Sequence, residues 1–577
     1  MTEISASTTI PKLLRSYPHL REVLDRHGLA GCGGPWGPPE TLEFFARAHG
    51  VSLAALLDEL REAAAQPAPA SQLPQAFRPA LADRLYKRFF AAGILAVLTV
   101  GAGWGAYLLW RIAANTSFTA SSIFAVNAHG QAQIYGWVGL FIMGFAYHAF
   151  PRFLQTRLQW VGLAAATFAA MVLGILLRSL FESAPMAWGA IAGATLQLAA
   201  VLGFLAVLTR TLGTSEGAGE VPFRYVRAAS FWFAAAACFD LFHTASLVLA
   251  PTREVVVEQV ATYQAALRDL QIHGVAMLMI FGVGLRLFPS VFQFPPPSSR
   301  LAARLFWPLN LGVAMEAFAL VLFMKTKQPL WAAVAGAGVL SLAVSAVIFG
   351  LNLNLWRKPA AWDRSQKFFR AAQLWLFLSL GMVAFSPLYF RLVHQAFSHA
   401  WYGAARHAIT VGFISLTIMG VAARVIPTLA GRDPNAMGSL GVPFALVNLG
   451  CALRVTGQVL TDLTPEAFPF AGVSGLLELS GLAIWGLPLL GVLLARVRPV
   501  GELPRLLAIH ADAPVAAILE AFPEKAAVLR QLGFELVDHP FFRNTVARAV
   551  TLRQACALKG KNLREVLAAL GADDEQG

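Results

Sequence analysis

Seven of the twelve histidines lie in or beside long apolar segments: His129, His148, His243, His273, His394, His399 and His407. Neutral imidazole is the commonest protein ligand for metals, and an ionisable group inside a bilayer is costly and usually functional. Imidazoles held at one depth on neighbouring helices are what a buried haem or metal site requires. His129 and His407 make the best axial pair for haem, standing 15 and 13 residues before two glycines that recur along the chain. His273 and His243 suit a second metal. Asp240, three residues before His243, shares its helical face and is expected to orient it. Each histidine has a second reading, as a hydrogen bond between helices. His394 and His399 fit the membrane interface, and His148 fits an anchor at the inner surface. Three further polar groups complete the set. Gln133 is a candidate partner for His129, Glu316 a proton-path carboxylate, and Arg454 a partner for a haem propionate or a carboxylate.

Only membrane-spanning helices can position these groups. The 577 residues are 57% hydrophobic and 13% charged, with mean hydropathy +0.59, whereas soluble domains are about 25% charged. A helix needs roughly 20 apolar residues to cross a bilayer. Twelve such segments run from Phe89 to Ala495. This excludes a soluble enzyme, a disordered chain and a secreted disulfide scaffold, and it disfavours a barrel of alternating strands. The four cysteines, Cys32, Cys238, Cys451 and Cys556, lie far apart and signal neither disulfides nor a cysteine zinc site. The net charge of +13 gathers in even-numbered loops, for example Arg357, Lys358, Arg364, Lys367 and Arg370. That is the pattern of loops retained inside, not of nucleic-acid binding. A bacterial inner-membrane protein with both termini cytoplasmic is expected, with most of the histidines near the outer surface.

Two internal repeats organise the chain. Gly144-Phe-Ala-Tyr-His148-Ala-Phe-Pro151, Gly282-Val-Gly-Leu-Arg286-Leu-Phe-Pro289 and Gly420-Val-Ala-Ala-Arg424-Val-Ile-Pro427 are spaced by 138 residues, twice. Four helices per repeat predict an all-α polytopic protein, its twelve helices in a pseudo-threefold ring. The second repeat joins the tails. Tyr17-Pro18, Val23-Leu24 and Gly28 match Phe522-Pro523, Val528-Leu529 and Gly533, and Thr41-Leu42 matches Thr551-Leu552. The expected organisation is a small cytosolic helical domain (1–65), a linker (66–84), the membrane domain (85–498) and a second copy of the small domain (502–572).

Arg406-His407-Ala408-Ile409-Thr410-Val411-Gly412, continuing to Ile418-Met419 and Arg424, resembles the NnrS family, whose members carry a His-Ala-Leu-Thr-x-Gly helix. Gly284-Leu285-Arg286-Leu287-Phe288-Pro289 is similar to that family's Gly-Gly-Arg-x-x-Pro segment. Asn127-Ala128-His129-Gly130 resembles its His-Ala-His-Glu-Met opening, with one histidine and the glutamate replaced. The resemblance implies a twelve-span membrane protein holding haem and copper and linked to nitric oxide and nitrogen-oxide metabolism. The plan is also remotely similar to subunit I of haem–copper oxidases. Here, however, the seventh span lacks histidine and the tenth has one rather than a close pair, which argues against oxygen reduction. The tails resemble small domains found with hybrid-cluster proteins and ScdA-type repair proteins. Gly31-Cys32-Gly33-Gly34 is similar to their cysteine segment, which makes Cys32, with His27, a candidate reactive thiol or ligand site. Val537-Asp538-His539-Pro540 replaces that segment in the second copy.

The expected function is therefore haem and copper binding in nitric oxide handling, as protection or as redox turnover with quinone or another electron donor. Polytopic transport, and sensing or assembly through a cytosolic partner of the tails, are the alternatives.

Overall fold

The computed structural model describes residues 4–66, 80–184, 186–437, 440–495, 509–522, 524–538, 547 and 550–572. Most of the expected linker, and His539 and Pro540, fall outside them. Among the described residues the chain is helical, and its β pairing is confined to the isolated bridges Thr9–Thr41 and Pro514–Thr551. The expected all-α polytopic class holds.

Eleven helices are long and apolar enough to cross a membrane. They are α1 (Leu81–Ala114), α3 (Val161–Phe181), α4 (Ala187–Leu212), α5 (Val221–Val248), α6 (Arg253–Ser290), α7 (Ser299–Thr326), α8 (Pro329–Asn352), α9 (Gln366–Leu392), α10 (His399–Leu429), α11 (Gly441–Leu460) and α12 (Pro465–Leu494). A further helix, α2 (123–153), occupies the second expected span. Asn127, His129, Gln131 and Gln133 dilute its apolar content, and it is not among the eleven. Ser122, Thr252, Ser298 and Ser398 cap α2, α6, α7 and α10, each side chain accepting from a backbone N–H three residues on.

Contacts recur with the repeat. α3 packs on α4, α7 on α8 and α11 on α12, while α4 meets α5, α8 meets α9 and α12 meets α1. Small residues let the hairpins close. Gly174, Gly312 and Gly450 stand 138 residues apart, and a Cβ on each would come within 2.8, 3.1 and 3.0 Å of the carbonyls of Gly193, Gly338 and Ser474. Polar ties recur too. Trp232 donates to Asn310 Oδ1 at 2.9 Å and Trp375 to Asn448 Oδ1 at 3.0 Å.

The repeat is plainest in α2, α6 and α10. Each changes from α-helix to π-helix for eight residues, at Ala132–Gly139, Leu270–Met277 and Ala408–Ser415. The starting residues are again 138 apart. π-helix is rare and often marks functional sites. Each helix then runs to a proline near its end, Pro151, Pro289 or Pro427, which its last turn tolerates because few hydrogen bonds follow.

The described residues form two compact units. One joins the N-terminal helices to the membrane helices, and the other holds the C-terminal helices. The tails share a plan. Thr41 and Thr551 cap the helices Leu42–His49 and Leu552–Lys559, which end on left-handed Gly50 and Gly560. Gly28 and Gly533 also adopt positive φ, 103° and 92°, where a side chain would be strained. Thr551 closes a full capping box with Gln554. Thr551→Ala should cost the C-terminal unit about 1 kcal/mol, read as a lowered denaturant midpoint at unchanged m-value.

Candidate cofactor and metal sites

His129 sits three residues before the π-helical stretch of α2. Its Nδ1 lies 3.0 Å from the Gly101 carbonyl on α1. A carbonyl only accepts, so Nδ1 carries the proton and Nε2 keeps its lone pair. That is how ligating histidines are usually oriented. Gly101, rather than Gln133, is the partner. Gly105 makes room for the ring, since a Cβ there would come within 2.5 Å of His129 Cε1.

His407 immediately precedes the π-helical stretch of α10. Its Nε2 is 3.4 Å from Glu478 Oε2 on α12. Around it are unsatisfied buried atoms: Glu478 Oε1, and Nε and Nη1 of Arg454 on α11. His129 and His407 lie within electrostatic reach of one another, with Arg454 in the same field.

His273 lies inside the π-helical stretch of α6. Its Nδ1 is 2.8 Å from Glu316 Oε2 on α7, and Asp269 is one turn earlier. The three are buried, and one ligand atom from each lies within 4.8 Å of the others; among the described residues no other His, Cys, Asp or Glu group meets that test. Arg406 of α10 pairs with Asp269. His243 is not in this cluster. It is buried on α5, and neither ring nitrogen is hydrogen-bonded among the described residues. The expected orienting role of Asp240 is not seen, because its carboxylate is taken by Arg178. A guanidinium offers charge and a donor fork, which a neutral imidazole cannot match.

Repeat register relates these clusters. Gln131, Asp269 and His407 are separated by 138 residues, as are Arg178, Glu316 and Arg454. In the first block Gln131 accepts from Gln197 at 2.7 Å, and Arg178 binds Gln197 at 3.0 Å, Thr244 and Glu182 at 2.9 Å, and Asp240. Between blocks, Arg268 reaches Asn127 and Arg406 reaches Ala265, at 3.3 and 3.4 Å; donors and acceptors are both one repeat apart. Asp269 was not singled out from the sequence, although its match to His407 and its position four residues before His273 were both legible.

A family profile described as NnrS protein matches residues 81–496. The chain belongs to the NnrS family. A second profile, a domain of unknown function (DUF1858), matches residues 509–567. No curated protein matches the chain. The site geometry above thus belongs to an NnrS-family membrane protein.

The N-terminal helices of this NnrS-family chain cover the proline ends of α2, α6 and α10. Arg152 donates to the Ala30 carbonyl and pairs with Asp83 at 2.7 Å, Arg47 donates to Ser290 O at 3.2 Å, and the Gly33 amide donates to Leu429 O at 3.1 Å. Above this cover, the same three helices line an apolar cavity of about 90 Å³ that includes Ile142, Ile280 and Ile418, one from each repeat. Cys32 is buried, its Sγ 3.6 Å from His148 Nε2. Burial pushes its thiol up from the usual range, away from the reactive thiolate. His27 pairs instead with Glu59 at 2.6 Å.

Glu40 meets Arg424 at 3.1 Å in this contact. Burial raises its carboxyl to about 7, against the lowering pull of Arg424. A raised folded value means that this contribution to stability is fully present below the unfolded value of 4.5 and is lost as pH rises through about 7. Limited proteolysis of the N-terminal helices should therefore quicken between about pH 5 and pH 8, and Glu40→Gln should flatten that dependence.

Proposed function

We propose that this protein binds haem through His129 and His407, holds a second metal ion through His273, and serves in the response to nitric oxide or nitrogen oxides. The observation that carries the reading is the Gly101 hydrogen bond at His129, which leaves Nε2 as a lone-pair donor inside the bilayer. The orphaned nitrogens of Arg454 and Oε1 of Glu478 support it, since buried polar atoms normally have partners. His129 and His407 would ligate the iron, and Arg454 would take a propionate. Haem supplies an iron that can bind nitric oxide and pass single electrons. The protein's part is to fix the imidazole tautomer through Gly101, leave room for the ring at Gly105 and hold the charged groups away from lipid.

His243 offers two free nitrogens, but no second ligand stands beside it, so it is the weaker half of the copper pair expected from the sequence. The basic even-numbered loops support an inner-membrane location with both termini cytoplasmic. Recurrent contacts between the three four-helix blocks support a pseudo-threefold ring. Quinone, or another one-electron donor, is the natural reductant for a haem within the bilayer. Nitric oxide turnover is the activity to assay.

The test is a reduced-minus-oxidised spectrum of the detergent-purified full chain, expressed with adequate haem and copper, together with metal analysis. A haem band that shifts on nitric oxide titration supports the reading. A colourless, metal-free protein overturns it.

A further inference from the structure

We propose that Asp269, His273 and Glu316 bind a borderline or hard divalent ion, of the ferrous, zinc or manganous class, and that this ion displaces Arg406 from Asp269. The inference rests on the reading that His273 ligates a second metal, and it supplies the ligand set, the metal class and the counter-charge.

The donor set is one imidazole and two carboxylates. Soft thiolate or thioether ligands select cuprous ion, whereas imidazole suits zinc and iron and carboxylate suits manganese. No sulfur belongs to the three. The set therefore disagrees with a cuprous site.

Charge points the same way. Two carboxylates 4% and 7% exposed, on α7 and α6, are costly in lipid unless neutralised. A divalent ion neutralises both. In this structure Arg406 does part of that work, pairing with Asp269. Arg406 also has somewhere else to go. Its guanidinium carbon lies 3.5 Å from the Tyr402 ring centroid, its Nη2 lies 3.4 Å from the Ala265 carbonyl, and its Nε is buried without a partner. Leaving Asp269 would keep the cation–π contact and the carbonyl. Arg406 thus acts as a resident cation that holds the ligands together until a metal arrives. His407 follows it directly, so ion binding on α6 and α7 would be felt at the proposed haem ligand.

The experiment uses the full chain in detergent. Metal is stripped with chelator, then Zn²⁺, Fe²⁺ under anaerobic conditions, or Cu⁺ is added. Bound ion and thermal shift are both read. Wild type should take up one Zn²⁺ or Fe²⁺ per chain, and Glu316→Gln and Asp269→Asn should lose it. Arg406→Gln keeps all three ligands and should bind Zn²⁺ on the order of tenfold more tightly, because the carboxylate it leaves is uncompensated. Should the carboxylate variants fail to fold, the Arg406→Gln titration decides alone. Unchanged or weaker binding there overturns the displacement. Stoichiometric Cu⁺ that survives Glu316→Gln and Asp269→Asn overturns this ligand set while leaving a second metal standing. No non-haem metal in wild type under any loading overturns both readings.

Discussion

His407→Ala and His129→Ala should each abolish or broaden the haem spectrum while leaving the protein in the membrane. His407 is half-buried beside Glu478, and its removal leaves a carboxylate and Arg454 facing a gap. His129 makes one hydrogen bond, to a backbone carbonyl, worth only about 1 kcal/mol. Neither loss should unfold a protein of this size, so a lost spectrum reports ligation rather than collapse. Gly105→Leu separates the two further. It keeps both imidazoles, yet its Cβ would stand 2.5 Å from the His129 ring and turn it. Spectral loss in Gly105→Leu at normal membrane yield is the expected signature of a positioned ligand. An unchanged spectrum in His407→Ala would remove that residue from the haem assignment.

Arg178→Met should be the most damaging substitution for stability. Arg178 is 1% exposed, and it neutralises Glu182 and Asp240, at 3% and 2%. Its guanidinium also satisfies Gln197 and Thr244, at 3.0 and 2.9 Å. Removing one partner of a buried pair typically costs 3–5 kcal/mol, about a third of the roughly 5–15 kcal/mol that holds a domain folded. Here two carboxylates are stranded, so the variant should fail to accumulate in the membrane. Replacing the whole charged set, as in Arg178→Met with Glu182→Gln and Asp240→Asn, should restore most of the yield, because a neutral cluster needs no counter-charge. A triple variant as poor as the single one would mean that the arginine matters through packing instead.

The amino-acid order alone established the class, the positions of the spans and the 138-residue period. These follow from local quantities. Burying an apolar side chain in a bilayer depends on that side chain, and helical geometry converts the run length into a crossing. The repeat even specified where π-helix would recur, because the same local sequence context returns in α2, α6 and α10. Histidine was likewise legible as a residue type that seldom enters lipid idly.

Pairings were not legible, and the tertiary structure decided them. Asp240 lies one helical turn from His243 and in sequence looks like its partner. In three dimensions Arg178, 62 residues away, claims it. Glu316 reads as a lone intramembrane carboxylate, yet it meets His273 across 43 residues, and Asp269 joins them. The reason is that a buried charge goes to whichever counter-charge the packing brings within about 4 Å, where low dielectric makes that contact outweigh any local one. Spacing along one helix fixes which groups share a face. Only the packing of α5, α6, α7 and α10 fixes which faces meet, and so which carboxylates stand ready for a metal.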